Sequence, residues 1–513
     1  MLLSWKLLTM KSASNMNVKK IALFLLFALP LLLAYRPSTP LEIKPKKPNI
    51  IYIFADDLGY GELGAYGQEK IKTPNLDQLA GEGIRFTQHY SSAPVCAPSR
   101  CMLLTGKHPG HAYIRGNYEL GEYSDDMEGG QMPLPEGSVT IGHMLQKNGY
   151  HTGIIGKWGL GMHNTTGNPN LQGFDYSYGY LCQKQAHNYY PTHLWENGKW
   201  DTLNNPPISV HQRLSPTTPF KYFIGKEYVV DNMTAKALKF IEQGKNKPFF
   251  LYLAFPLPHL SLQVPEKALT PYLGKFPEEP YTGDKNYSPQ RYPLSAYAGM
   301  ISYLDEQVGI IMAALKAQGL DENTLVLFSS DNGATFDVGG VNAPFFNSVQ
   351  GLRGLKMDVY EGGIRVPFIA RWKGKIQPGQ VSDHVSVQYD LMATIADLLK
   401  LEAPKNDGIS YLPTLLGKKE LQKQHPFLYW EYPEKGGQIA VRIGNWKGVK
   451  TQMKTNPAAK WELYDLSNDR SEQKNRAGEL PERVSELDKV VEREHVPSHI
   501  KDWEFVSPKF KRN

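Results

Sequence analysis

The chain has 513 residues, 41% hydrophobic and 21% charged, enough for a large core and more than one domain. Its formal net charge of +6 is uneven: residues 1–40 carry Lys6, Lys11, Lys19, Lys20 and Arg36 and no acid, and without them the 57 basic residues fall to 52, against 51 acidic. A body so near neutrality gives no electrostatic case for nucleic-acid binding, and only three cysteines exclude a disulfide-stapled fold.

Lys19-Lys20 followed by Ile21–Ala34, an apolar run broken by Pro30, reads as an export signal. The run is too short for a comfortable bilayer span, so a cleaved signal is favoured over an uncleaved anchor, with no stable membrane span expected after cleavage and a periplasmic or secreted protein. Met16 is an alternative start, and no cysteine follows the run for lipid attachment. The body opens with "KPNIIYIFADD" (47–57), a continuous apolar run that predicts a buried parallel strand ending in two carboxylates. "TPNLDQLAGEGIRF" predicts a helix begun near Thr73-Pro74 and stopped at Gly81–Gly83. "CAPSRCMLLTG" predicts a short helix with Pro98 in its first turn, ended by Gly106. "TIGHMLQKNGYHTGIIGKWGLG" reads as helix, turn and strand, and "KPFFLYLAF" as a strand. "LDEQVGIIMAALKAQGL" predicts an amphipathic helix leading into "TLVLFSSDNG", a second buried strand, and "SVQYDLMATIADLLKL" a further covering helix. Strand and helix in alternation predict an α/β fold: a large mixed, mostly parallel sheet sandwiched by helices. Beyond about Gly417, "PFLYWEY", "QIAVRIGNWKGVK" and "WELYDL" predict a small antiparallel sheet, and "ELPERVSELDKVVEREH" a charged amphipathic helix. The expected division is 1–40 extension and signal, 41–417 main domain, and 418–513 a small α+β C-terminal subdomain.

Functional crevices of open parallel sheets lie at the carboxyl ends of strands. Asp56-Asp57 and Asp331-Asn332 both follow buried runs. Adjacent carboxylates repel unless a cation or proton intervenes, and this hard-oxygen set suits Ca²⁺ or Mg²⁺. Taken singly, each pair is equally well read as helix-cap and turn residues. Cys96 lies at or just before a helix N-terminus, where backbone N–H groups and the helix dipole favour an anion, and Arg100 is one turn inside. Cys101 reads as a packing residue, and the odd cysteine count leaves one thiol over for chemistry.

Here a resemblance becomes specific. "CAPSR" matches the C-x-P-S-R signature of the type I sulfatases of the alkaline phosphatase-like superfamily. "FADD", "TGKHP", "GKWGLG", the strand ending at His259, "SSDNG" and "GLRGLKMDVYEGGIRVP" follow in family order, over about Lys47–Leu416. The resemblance implies an alkaline phosphatase-like fold and a sulfatase catalytic domain over 41–417. It implies that Cys96 is converted to formylglycine, whose hydrate is the nucleophile, by a formylglycine-generating or anaerobic sulfatase-maturating enzyme. It implies one Ca²⁺ held by Asp56, Asp57, Asp331, Asn332 and the modified Cys96. Arg100 would hold the formylglycine, Lys157 and Lys356 would bind sulfate, and His259 would meet the sulfate or the leaving oxygen. The style is that of exported bacterial enzymes acting on sulfated polysaccharides, algal (ulvan, carrageenan) or glycosaminoglycan. Sulfate esters spread charge over their oxygens, so a cation, fixed positive side chains and a placed nucleophile are what the chemistry needs.

One position departs from the family. Many members read GKWHLG, with a histidine that acts on the second hydroxyl; here Gly159 stands in its place. His187 of "QAHNYYP" is the first expected substitute and His163 the second. Tyr189-Tyr190-Pro191 with Trp195 is read as either a wall for a sugar ring or core packing. Arg365 is expected to pair with Glu361. Two other readings share these residues: a phosphonate monoester or phosphodiester hydrolase of the superfamily, disfavoured because those enzymes resemble an Asp-His pair where this chain has Asp331-Asn332, and a weakly catalytic sulfated-glycan-binding homologue.

Overall fold

The computed structural model describes residues 47–506, except 121–127, 129, 286 and 457. The expected export segment lies outside the described residues. No described helix is long and apolar enough to cross a membrane.

Ten of the first eleven strands form one sheet. In chain order they are β1 (Asn49–Ala55), β2 (Ile84–Phe86), β3 (His89–Tyr90, outside the large sheet), β4 (His151–Lys157), β5 (Tyr176–Tyr180), β6 (His193–Glu196) and β7 (Lys199–Thr202). Then come β8 (Phe249–Ala254), β9 (Thr324–Ser330), β10 (Phe368–Arg371) and β11 (Gln380–Ser382). The order across the sheet is β11-β2-β10-β9-β1-β8-β4-β5-β6-β7. The five central strands from β9 to β5 are all parallel, while β10, β6 and β7 pair antiparallel at the flanks. A short strand, β12 (Ser386–Val387), pairs with β3. Every residue of β1, β8 and β9 is buried, as strands covered on both faces must be, which is why they read as unbroken apolar runs. Gly156 is required inside β4: a Cβ there would lie 1.9 Å from the carbonyl oxygen of Ala254.

The covering helices include α1 (Pro74–Gly81), α2 (Cys96–Thr105), α3 (Ile141–Lys147), α4 (Val229–Gln243), α5 (Pro293–Ala317) and α6 (Asp390–Leu399). α5 begins well before the expected amphipathic segment. Pro293 sits in its first turn, and nearly all of its first twelve residues are buried, so that half carries no polar stripe. The stretch around His187, read as loop-like, leads into the β6–β7 hairpin that extends the sheet.

The expected antiparallel sheet forms from β13 (Leu428–Tyr432), β14 (Gln438–Ile443), β15 (Trp446–Lys450) and β16 (Glu462–Asp465), followed by α7 (Pro481–Glu494). A charged knot ties it to the segment after α2. Arg115 pairs with Glu431 of β13, Tyr429 donates to the same carboxylate at 2.7 Å, and His495 Nδ1 lies 2.8 Å from it. His495 Nε2 reaches Glu504 at 3.1 Å. Burial alone would lower the pKa of this imidazole, but the bonds to Glu431 and Glu504 outweigh it and push it up to about 9. Its folded pKa therefore exceeds the unfolded value of 6.5, so the stability it contributes is complete below pH 6.5 and lost as pH rises through 9. Solvent screening of the partly exposed group brings that contribution to on the order of 1–2 kcal/mol. Denaturant unfolding midpoints are expected to fall between pH 6.5 and 9 in the wild type, and His495→Leu to lower stability at pH 6.5 and flatten that fall. An unchanged slope in the variant would contradict this account.

Candidate active site

Sheet register brings the acidic pairs together. Ala55 of β1 faces Ser330 of β9, so Asp56-Asp57 and Asp331-Asn332 leave adjacent strands side by side. Asp331 N–H donates to the Ala55 carbonyl at 3.1 Å, and Asp57 N–H to Asp331 Oδ1 at 3.0 Å. Asp57 adopts a left-handed conformation (φ 66°), which Asp tolerates better than most residues. β4 contributes Lys157 at its own carboxyl end, and His259 follows β8 by five residues. Lys356 comes from the connection between β9 and β10.

Cys96 is the first residue of α2 and is buried, as are Cys101 and Cys182; Cys101 packs in the apolar core as expected. Val95, in the N-cap position, offers no side-chain acceptor, and Asn117 Oδ1 instead accepts the Ala97 N–H at 3.1 Å. The Cys96 thiol lies 3.3 Å from Asp56 Oδ1, 3.9 Å from Asp57 Oδ1 and 3.5 Å from Lys356 Nζ. Arg100, fully buried, donates through Nε and Nη2 to Asp331 Oδ2 at 3.1 and 2.8 Å, and through Nη1 to the Lys157 carbonyl at 2.6 Å. Lys157 Nζ lies 2.7 Å from Asp56 and Lys356 Nζ 2.8 Å from Asp57. His259 Nδ1–H donates to the Leu260 carbonyl at 2.5 Å, leaving Nε2 turned to Asp57 Oδ2 at 3.6 Å. Three carboxylates thus share a buried space with three cations.

Burial opposes ionisation of Asp56, but Lys157, His259 and Arg100 outweigh it and hold its carboxyl well below the usual range. Asp331 goes the other way: burial and the neighbouring Asp56 raise it despite Arg100. Burial, then Asp56, pushes the Cys96 thiol well up, so the unmodified side chain is held as a thiol. Burial, then Lys356, lowers His259 to about 4 and keeps it neutral.

One ligand atom each from Asp56, Asp57, Cys96 and His259 lie within 4.8 Å of one another, close enough to hold a metal ion together. Asn332 Nδ2 is committed to Asp57 Oδ1 at 2.7 Å, while its Oδ1 is buried with no hydrogen-bond partner among the described residues. An orphaned amide oxygen beside paired carboxylates is a donor set that fits a hard divalent cation.

His187 also reaches this region: its ring stacks on His259 with centroids 5.0 Å apart, and its Nδ1 lies 3.3 Å from His211 Nε2. The space beside Gly159 belongs to another residue. Gly159 has φ +75°, and a Cβ there would lie 3.0 Å from Cγ of Gln183. His163 stacks on Trp195 with centroids 4.3 Å apart. The aromatic run is packing, not a sugar wall. Tyr189, Tyr190 and Trp195 are buried, and Tyr189 Oη donates to the carbonyls of Pro256 and His259, bracing the turn that carries His259. Arg365 pairs with Glu361 at 3.2 Å as expected. Asn117 and Gln183 carried no sequence signal, since each belongs to a loop without periodicity or motif.

Comparison with known proteins agrees with this geometry. The family described as Sulfatase matches residues 48–401, and the family described as N-sulphoglucosamine sulphohydrolase, C-terminal, matches residues 355–494. The chain is 32% identical to an N-acetylgalactosamine-6-O-sulfatase of Bacteroides thetaiotaomicron, over 87% of this chain and 93% of that one. It is also 32% identical to human arylsulfatase A, over 86% of each. The crystal structure of Ps i-CgsB in complex with k-i-k-neocarrahexaose superposes with a TM-score of 0.72 at 27% identity, covering 91% of this chain and 99% of that one. With its strand-end carboxylates, its CAPSR helix and its alkaline phosphatase-like sheet, the chain belongs to the sulfatase family of sulfuric ester hydrolases.

Proposed function

We propose that the protein is an exported, calcium-dependent sulfatase that removes sulfate from a sulfated glycan, using a formylglycine made from Cys96 by a maturating enzyme. The observation that carries this reading is the meeting of Cys96 with Asp56, Asp57, Lys356 and, through Asp56, Lys157 in one buried cluster at the strand ends. Asp56, Asp57, Asp331, Asn332 and the modified Cys96 would hold the calcium ion, supported by the orphaned Asn332 oxygen. When bound, that ion supplies Lewis-acid stabilisation of charge on the sulfate oxygens. The hydrated aldehyde supplies the nucleophilic hydroxyl that a buried, un-ionised thiol does not.

The chain's own residues do the rest. Arg100 seats the first turn of α2 against β9 and β4 through Asp331 and the Lys157 carbonyl. Lys157 and Lys356 place two ammonium groups over the cluster, where they bind the sulfate oxygens. His259, fixed through Nδ1, faces the leaving oxygen with its unprotonated Nε2, and it protonates that oxygen only after Nε2 has first taken up a proton at the cluster. His187 enters through the His259 ring on which it stacks. The domain limits read from the sequence, 41–417 and 418–513, are kept with this proposal.

The substrate class follows the relatives, among them enzymes named for N-acetylgalactosamine 6-sulfate and one structure holding a neocarrahexaose. Glycosaminoglycan fragments sulfated at galactosamine O6 come first, carrageenan oligosaccharides second.

Sulfate release from that panel, by enzyme co-produced with a maturating enzyme, tests the substrate. Matched aryl sulfate and aryl phosphate separate sulfatase from phosphoester hydrolase: sulfate release is expected to dominate, and faster phosphate release would reverse the assignment. Lys157→Ala and Lys356→Ala are each expected to lower kcat/KM roughly 10²–10³-fold. Near-normal turnover by His187→Ala would remove His187 from the set. For the metal, protein stripped with chelator is expected to gain thermal stability on addition of calcium at about 1 mM, the range of extracellular sites. Asn332→Ala is expected to blunt that gain, and no gain in the wild type would sink the calcium assignment.

A further inference from the structure

The residue that occupies the space beside Gly159 has a defined set of bonds. A Cβ on Gly159 would lie 3.0, 3.3 and 3.5 Å from Cγ, Cδ and Oε1 of Gln183, its three nearest neighbours. The two segments are stitched by the Gly159 N–H donating to the Leu181 carbonyl at 3.2 Å. Gln183 is 2% exposed, and its own N–H donates to Gln131 Oε1 at 3.2 Å. Its Nε2 donates to Asn117 Oδ1 at 3.4 Å, the same oxygen that accepts the Ala97 N–H in the first turn of α2. Asn117 is fixed in turn by its N–H on Glu434 Oε1 at 2.6 Å.

The other end of the Gln183 amide is left over. Oε1 is buried and has no hydrogen-bond partner among the described residues. Leaving a buried amide oxygen unpaired is costly, and an apolar side chain of the same length would fill this space without that cost. Packing alone therefore does not account for a glutamine here.

We propose that Gln183 is a positioning residue of the reaction. It occupies the space that a side chain at position 159 would take, and through Asn117 it holds the turn of α2 that presents the modified Cys96. The inference rests on the sulfatase reading of Cys96 given above. Its chemical content is that the space is filled by an amide, which donates and accepts hydrogen bonds but carries no titratable proton. Misalignment of a nucleophile by a fraction of an ångström slows chemistry far more than it weakens ground-state binding.

The test uses full-length enzyme whose Cys96 peptide is verified as aldehyde by mass spectrometry, with 4-nitrophenyl sulfate as substrate. Gln183→Met keeps the length of the side chain and removes the amide with its hydrogen bond to Asn117. It is expected to lower kcat about 10- to 100-fold with KM within about twofold. Its aldehyde content and unfolding temperature are expected to equal or exceed those of wild type. Asn117→Ala is expected to produce a similar fall, and the double variant to be little worse than either single one, because the two act in one chain of bonds. Wild-type turnover in Gln183→Met, a loss that tracks lower aldehyde content or lower thermal stability, or full additivity with Asn117→Ala would each overturn the proposal. Aldehyde-bearing wild type that releases no sulfate from this ester or the glycan panel would instead overturn the sulfatase reading beneath it.

Discussion

Arg100 is the contact on which the rest of the site depends. Its guanidinium is fully buried, bound through two nitrogens to Asp331 after β9, within 3.5 Å of Asp56 after β1, and donating to the backbone of Lys157 at the end of β4. A buried charge is tolerable only with partners on every side, so this one side chain obliges α2 to sit where three strands end. Cys96, one helical turn earlier, is then delivered to the carboxylates without a contact of its own having to position the helix. Removing Arg100 would leave Asp331 buried beside Asp56 and Asp57 with no cation on it.

The sheet supplies the partners by topology. β9, β1, β8 and β4 are neighbours and parallel, so their carboxyl ends open onto one crevice. The C-terminal sheet reaches that crevice indirectly. Gln438 at the start of β14 donates to the carbonyl of Met357, whose N–H is held by Pro94. Lys356 is thereby gripped between the segment before α2 and the small sheet. Glu361 nearby is closed in by Lys447 of β15 and Arg365, a buried ion set that makes the small sheet part of the foundation of the site.

Much of this was legible in the sequence because the informative residues are local to strand ends. "FADD" and "SSDNG" each announce a buried strand and its terminal oxygens within one short segment. The helix of CAPSR begins at Cys96 and ends at Gly106 in a left-handed cap, as its Pro and Gly imply. What was not legible depends on burial and on distance along the chain. The first half of α5 hides because it is buried all round and has no polar face to give a period. The aromatic run at Tyr189–Trp195 has the composition of a binding wall, and only tertiary packing turns it inward. Gln183 and Asn117 are 66 residues apart, joined by one hydrogen bond that no spacing rule anticipates.

The charge balance of the cluster explains why its cysteine is of little use as a thiol. Asp56 and Asp57 are held ionised by Lys157 and Lys356, while burial and Asp56 raise Asp331 despite Arg100, so the cluster carries no surplus of positive charge large enough to favour a thiolate. The same carboxylates that fit a divalent cation stand against a thiolate: Asp56 Oδ1 is 3.3 Å from Sγ and, with burial, pushes the thiol up. A protonated group in that position is accommodated, because it can donate to Asp56 while its heavy atom accepts from Lys356. The surroundings of Cys96 are therefore suited to a protonated donor and hostile to S⁻.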